Sequence, residues 1–535
     1  MKTFLTDERI FCLNFGETFQ LRNPADNVPL YQLSKEGIIL FENLRFLDTT
    51  LRDGEQTPGV ALSTDDKIKI ATALDDLGVH VIEAGSAVTS VGERAAIKAV
   101  SDLGLTAEIC SYCRMRTDDI DLALECNVDS VHLVVPSSNL HIETKLKKDI
   151  RDKRDREVVL QMAGEVTAYA KSHGLIVEFS AEDASRADFK FLKELYAVGT
   201  KNGADRLCFC DTVGMLTPER TFTIFSELAY AADAPVSIHC HNDFGLATAN
   251  TIAAFRAGAS EGHVTINGIG ERSGNASLEE VAVQLEHLYG IKTGIKSKNL
   301  YQISRLVSRL TNIPVAPNKA LVGGNSFTHE AGIHVHDLVK NTASYEPISP
   351  EFIGRTRRVV LGKHAGASSI ELALTELRLD ANQAQKQEIF KRVKDMGDKG
   401  LHVTDADLQT IAESVLEIHC EPAVKLKSFS AVSGRPSIPM ASVILEVNGK
   451  EEICVDTGDG PVDAAIRAIQ KAVSSVGDIV LEEYHVDAIT GGTDALVEVM
   501  VKMSKDGKVI TSRGARTDII EASVEAVING MNRLI

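Results

Sequence analysis

Arg52 and Asp53 stand with Gly54 and Glu55 in the run Asp48-Thr49-Thr50-Leu51-Arg52-Asp53-Gly54-Glu55-Gln56, directly after the short apolar segment Leu44-Arg45-Phe46-Leu47. Ionisable side chains at the mouth of a strand are poor core material, because buried charge is costly unless paired or bound to metal. A second cluster, His239-Cys240-His241-Asn242-Asp243, follows the apolar strand Val236-Ser237-Ile238. Residues i and i+2 of an extended chain face the same side, so both imidazoles point one way. A carboxylate and two imidazoles make a donor set for a divalent cation with positions left for water or substrate. Alone, the first cluster also reads as a solvated turn and the second as an incidental pair. Two such clusters at two strand ends favour a site.

The elements that would hold them alternate. Strand patterns run over Arg45 to Leu47, Val79 to Ile82, Thr106 to Cys110, Ser130 to Val135, Leu175 to Phe179, Arg206 to Cys210, Val236 to Ile238 and Gly262 to Ile266. Helical patterns lie between them, as at Asp65 to Leu77, where Ser63 is placed to cap and Ile68, Ala71, Leu74 and Leu77 share a stripe. Eight strand–helix units over about 250 residues predict a parallel (β/α)8 TIM barrel spanning 44–290, with an open doubly wound sheet as the alternative. In a barrel, active groups gather at the C-terminal ends of strands. Those ends carry Arg52 and Asp53, Glu83, Arg114, Ser137 and Ser138, Ser180, Glu182 and Asp183, Asp211 and Thr212, His239 and His241, and Asn267 through Asn275. Strand starts show no comparable cluster. The glycines of Asn267 to Asn275 come after the last strand, where a dinucleotide loop does not belong, so the loop is expected to aim Asn275 or Glu271 at the mouth.

Composition bounds the rest. A chain of 535 residues with 44% hydrophobic content needs two or three cores. No run of 18 apolar residues and no basic-then-apolar leader occurs, which predicts a soluble cytoplasmic protein without membrane partners. A net charge of −18 argues against nucleic acid as a partner. The nine cysteines show no zinc-ribbon spacing, and Cys208 and Cys210 are expected to be buried thiols. The basic stretch from Lys145 to Arg156 is interleaved with Asp149, Asp152 and Asp155 and is expected to be a solvated face.

Residues 1–43 follow no clear period and form an extension. Beyond the barrel, 291–421 is helical in pattern, with a His-rich segment (His329, His334, His336, with Glu330 and Tyr345) and Gly362-Lys363-His364-Ala365-Gly366 expected to fold over the site. After Glu421-Pro422, two strand-then-helix halves predict an α+β module over 422–535, with Gly458 to Pro461 and Gly491 to Asp494 as turns.

Asp48 to Gln56, His239 to Asp243, Gly270 to Asn275, His329 to His334 and Gly362 to Gly366 together resemble the Claisen-condensing acyl-CoA synthases that include 2-isopropylmalate, homocitrate and (R)-citramalate synthases. The resemblance runs from Leu44 to Ile535 and is strongest to the archaeal citramalate type. It implies that Asp53, His239, His241 and Asn275 ligate a divalent metal, with Mg2+, Mn2+ and Zn2+ all compatible. It implies further that Arg52 orients the 2-oxo acid and stabilises its alkoxide, that Thr212 binds the substrate carboxylate, and that Glu182 is catalytic. His334 and Tyr345 would reach in from the post-barrel segment, from the partner subunit of a homodimer. Acetyl-CoA and pyruvate are the implied substrates, with citramalate feeding isoleucine biosynthesis. The C-terminal module would be a regulatory domain for an end-product amino acid. The chain departs from the family at His334-Val335-His336-Asp337, where His-x-Asp-Gly is usual. It has Ser86-Ala87 where isopropylmalate synthases carry Phe-Pro. The rivals are 2-isopropylmalate synthase, a lyase on the same barrel, and an inactive amino-acid sensor; no biotinyl Ala-Met-Lys-Met sequence occurs.

Overall fold

In the computed structural model, eight parallel strands close on themselves: β1 Arg45–Asp48, β2 Val81–Gly85, β3 Glu108–Arg114, β4 Ser130–Pro136, β5 Ile176–Glu182, β6 Arg206–Asp211, β7 Val236–Cys240 and β8 Glu261–Val264. Neighbours follow chain order, and β8 returns to β1 with Glu261 beside Arg45 and Val264 beside Asp48. The barrel expectation holds, and the open sheet does not. The structure describes residues 44–535 except 378, 399–402, 404, 417–421, 435–436, 475–476, 489–496 and 506–507, together with five short strands between residues 3 and 40. The Gly491 to Asp494 turn and the Glu421 boundary lie outside the described residues.

Helices α1 Thr64–Leu77, α2 Val91–Ser101, α3 Thr117–Glu125, α4 Asn139–Leu146, α5 Lys153–Ser172, α6 Phe189–Lys201, α7 Pro218–Ala231, α8 Ala247–Ala257 and α9 Leu278–Tyr289 separate and follow the strands. Local sequence explains the first. Ser63 and Asp66 exchange side-chain and backbone bonds as a capping box, and Gly78 ends the helix at φ 97°, a left-handed conformation that favours glycine. Its buried face is Ile70, Ala71, Leu74 and Leu77, and also Lys67, which is fully buried against Glu55 and Glu93, 2.7 Å from each. Ile68 sits at the edge of that face. The apolar core fills the annulus between strands and helices. Phe209 of β6 packs edge-on to Phe225 of α7 with ring centroids 5.6 Å apart, and each such buried ring contributes about 1.5–3 kcal/mol. Helix α10 Leu300–Thr311 joins this core through Leu300, Ile303 and Val307.

The barrel interior is different. Most TIM barrels fill it with branched apolar side chains. Here Leu47, Val81 and Cys110 form a small apolar cluster apart from the main core, and the side-chain bonds between strands are polar. Contrary to expectation the strand starts carry a polar cluster of their own: at this floor Arg206 donates to Glu108 (2.6 Å) and Glu178 (3.4 Å), and Arg45 donates to Glu261 (2.8 Å) and Glu108 (3.2 Å). Above them His263 Nε2 meets Glu178 at 2.8 Å, and His132 Nδ1 meets Glu83 at 2.7 Å. Breaking such a buried network strands its partners. Arg206→Ala is expected to cost about 3–5 kcal/mol, read from denaturant unfolding; a loss below about 1 kcal/mol would mean that the floor is wetter than its packing indicates.

The chain forms two compact units, residues 1–328 with 342–358, and residues 329–341 with 359–535. In the second, α11 Gly332–Lys340 lies beside α12 Ala367–Glu376, while α13 Gln383–Asp398 and α14 Asp405–Val415 share a core of Ile370, Leu374, Ile389, Val393 and Leu408. The C-terminal module is two copies of one plan. Strands β9 Val424–Val432, β10 Met440–Val447 and β11 Lys450–Thr457 precede α15 Pro461–Ala472; β12 Val480–Ala488, β13 Val497–Lys505 and β14 Lys508–Arg516 precede α16 Ile519–Leu534. Both helices share a single core with the inward faces of the two antiparallel sheets. Strand β14 is absent from the pattern reading because Lys508 to Arg516 is mostly polar; its pairing to β13 along its whole length makes it a strand. Among the described residues, no helix is long and apolar enough to cross a membrane.

Candidate active site

Strand β1 runs straight into the loop that carries Arg52 and Asp53, and β7 ends at His239 and His241. Asp53 Oδ2 lies 3.2 Å from His239 Nε2 and 3.9 Å from His241 Nε2, and the two imidazole nitrogens are 3.3 Å apart. All three residues are buried. Burial opposes charge on Asp53, but the Arg52 guanidinium and His239 outweigh it and hold the carboxyl well below the usual carboxylate range. Burial pushes His239 down to about 3 and lowers His241 as well, which favours the neutral form with a lone pair available. An ionised carboxylate between two neutral imidazoles is the state that a metal needs.

Asn275 lies beside His241. It forms an isolated antiparallel bridge with His241, while its Nδ2 donates to the Ile269 carbonyl at 3.1 Å. The loop before it turns at Gly270 (φ 155°) and Gly274 (φ 86°), where a Cβ would collide with Asn275 Nδ2 and the Gly268 carbonyl respectively. The tight loop therefore aims Asn275, whereas Glu271 remains exposed. Asp53 Oδ1 and Asn275 Oδ1 are buried acceptors without a hydrogen-bond donor, and Asp53 Oδ2 faces the Arg52 guanidinium and the two imidazoles. Orphaned acceptors beside two imidazole nitrogens fit a divalent cation. The mixed nitrogen and oxygen donors leave Mg2+, Mn2+ and Zn2+ open.

Arg52 is held on three sides. Its Nε donates to Glu83 at 2.8 Å, Nη1 lies 3.2 Å from Asp53, and the guanidinium stands over the Tyr112 ring at 4.9 Å. Glu83 is the central residue of β2, just before the register with β3 shifts, and its pairing with Arg52 and His132 holds its carboxyl well below the usual range despite complete burial. Thr212 joins the ends of β5 and β6, its hydroxyl accepting the Asp183 N–H at 2.9 Å, and its carbonyl receives Arg272 Nη2 at 2.7 Å.

Glu182 ends β5, and both its carboxylate oxygens are engaged by Lys145 Nζ, at 2.5 and 2.6 Å. His141 Nδ1 stands 3.4 Å from the same carboxylate. His141 and Lys145 sit at i and i+4 on α4 and both face the Glu182 carboxylate. Sequence reading missed this pairing; Lys145 is exposed, as expected of the basic stretch, and also reaches Glu182. The remaining cations behave as expected there, with Lys148 on Asp155 and Arg151 on Asp149 and Glu143. The i,i+4 spacing was the available signal, hidden by the surrounding charge run. His132 and Tyr112 were missed as well, since each lies inside an apolar run.

His334 is exposed on α11 in the second unit. Tyr345, 41% exposed, follows the 3-10 turn Thr342–Ser344 in the first.

Three family models match in succession: HMGL-like over residues 43–307, the homocitrate synthase post-HMGL domain over 321–401, and the LeuA allosteric (dimerisation) domain over 402–535. The chain is 66% identical over 486 residues to a putative (R)-citramalate synthase CimA of Methanosarcina acetivorans, covering 91% of this chain and 99% of that protein. It is 53% identical over 494 residues to the (R)-citramalate synthase CimA of Methanocaldococcus jannaschii, covering 92% and 99%. The chain belongs to the (R)-citramalate synthase family. Within that family, Arg52, Asp53, His239, His241 and Asn275 are gathered here at one barrel mouth.

Proposed function

We propose that the chain condenses acetyl-CoA with pyruvate and hydrolyses the thioester, giving (R)-citramalate and CoA. The observation that carries this reading is the buried Asp53 carboxylate 3.2 Å from His239 Nε2 and 3.9 Å from His241 Nε2, with Arg52 alongside. A divalent ion held by Asp53, His239, His241 and Asn275 supplies Lewis acidity toward the ketone of a 2-oxo acid. Arg52 presents a fixed guanidinium to the oxygen on which negative charge develops, and its three contacts mean that it need not reorganise during the reaction. The Thr212 hydroxyl, which accepts from Asp183, still has its own proton to donate to the substrate carboxylate. The methyl proton of acetyl-CoA goes to Glu182 or to His334, in the second case with Tyr345 and a partner subunit completing the site. Glu182 acts as the base only when the Lys145 pair opens. The carbanion so formed adds to the ketone carbon of pyruvate, the alkoxide takes up a proton, and water then attacks the thioester carbonyl so that CoA leaves as the thiol.

Preference for pyruvate rests on the wall beyond β2. Ala87 is buried, and the Ser86 hydroxyl donates to the Tyr112 carbonyl at 3.2 Å, tying this wall to β3 under Arg52. An added methylene in an apolar pocket is worth about 1–3 kcal/mol, so discrimination against 2-oxoisovalerate is expected to be about tenfold or more. Thiol release from acetyl-CoA with each acid measures it. A higher kcat/KM for 2-oxoisovalerate would replace the citramalate reading with the isopropylmalate one.

The two-fold plan of residues 422–535 supports a homodimer with an amino-acid effector site there, in a cytoplasmic enzyme of isoleucine biosynthesis. Removing the chain after residue 421 is expected to abolish inhibition by a branched amino acid while leaving some condensation activity. Inhibition that survives the truncation would place the effector elsewhere. Reciprocity requires the effector to bind the less active state more tightly.

A further inference from the structure

Directly beneath the mouth, the barrel holds a second group that the proposed reaction does not use. Cys208 and Cys210 alternate along β6, so both thiols enter the lumen, and their sulfurs are 3.8 Å apart. A ring nitrogen of His132 on β4 lies within 4.8 Å of both sulfurs. His263 on β8 brings Nδ1 to 4.0 Å from Cys208 Sγ. All four side chains are at least nine-tenths buried.

Packing alone accounts for buried thiols, but not for the arrangement around them. Two thiolates bound at about 2.3 Å to a tetrahedral metal stand about 3.8 Å apart, the separation seen here. Each histidine has its outer nitrogen on a buried carboxylate, His132 Nδ1 on Glu83 at 2.7 Å and His263 Nε2 on Glu178 at 2.8 Å. That orients each ring and turns its other nitrogen toward the sulfurs, the carboxylate–histidine arrangement found behind metal ligands. His132 Nε2 is a buried ring nitrogen without a hydrogen-bond partner. The two imidazole planes meet at 85° with centroids 5.2 Å apart, so they approach the sulfurs from different directions.

We propose that Cys208, Cys210, His132 and His263 form a second, thiophilic metal site inside the barrel, suited to Zn2+. Binding releases to solvent the two thiol protons and the protons on the sulfur-facing imidazole nitrogens, and the two thiolates balance the divalent charge. The site is separate from the mouth group, although the His239 and His263 rings are only 5.5 Å apart. It is also coupled to the mouth, because Glu83 holds His132 with one oxygen and Arg52 with the other.

The test uses the full chain, expressed and purified with Zn2+ as the metal supplied. X-ray absorption at the zinc edge of the wild-type protein is expected to show a sulfur shell at about 2.3 Å, the Zn–thiolate distance. His241→Ala, which weakens the mouth site, should retain about one zinc per chain with a larger sulfur share. Cys208→Ser/Cys210→Ser should lose the sulfur shell and keep mouth zinc. A wild-type zinc shell of nitrogen and oxygen alone overturns the proposal without recourse to any variant, as does a His241→Ala protein that folds and holds no zinc. Neither result bears on the condensation reading, which is scored by thiol release.

Discussion

Asp53→Ala is expected to abolish turnover and to weaken divalent-metal binding at the mouth by more than about a hundredfold, the upper range for removing only a residue behind a ligand. Asp53 supplies the only formal negative charge among the four proposed ligands, and its Oδ1 is buried without a donor. Without it, His239 and His241 face Arg52 with nothing to balance the incoming cation. His241→Ala is expected to act in the same direction and to a smaller extent, since a carboxylate and an imidazole remain. Titration calorimetry with Mn2+ and the thiol-release assay read binding and turnover separately. Full activity in an exhaustively chelated wild-type preparation would remove the metal from the mechanism and sink the expectation.

Arg52→Lys is expected to lower kcat by about 10²–10³, the range for losing one preorganised donor to a developing oxyanion. An ammonium is a point charge without a planar fork, and it cannot face Glu83, Asp53 and the Tyr112 ring at once. Because the interaction strengthens as charge develops, kcat should fall more than KM rises. A change confined to KM would make Arg52 a binding group only.

The barrel and its mouth were legible because a parallel strand–helix rhythm survives in the hydrophobic pattern and because ionisable residues crowded the strand ends. Ser63, Asp53, His239, His241 and Asn275 sit where spacing placed them. The lumen was not legible. Glu178, Arg206, Glu261, His132 and His263 lie on strands buried on both faces, where period-two alternation is masked by apolar neighbours on the outer side. A lone charge in such a run looks like a defect until the strand opposite supplies its counter-charge, and that partner can be distant in sequence, as Glu108 is from Arg206. Lys145 was obscured in the opposite way, by too many charges around it. Where His334 works depends on how separate parts of the assembly come together, which no periodicity encodes.

Closure of β8 onto β1 sets the order of events on the ribosome. Arg45 and its partner Glu261 are 216 residues apart. At 5–20 residues per second, synthesis of that stretch takes about 10–40 s. Throughout that interval β1 has an unsatisfied edge, and Asp53 waits for histidines that have not yet been made. The nascent chain therefore carries the hazard of an open half-barrel, and that interval is when chaperones and metal supply have the greatest influence on yield.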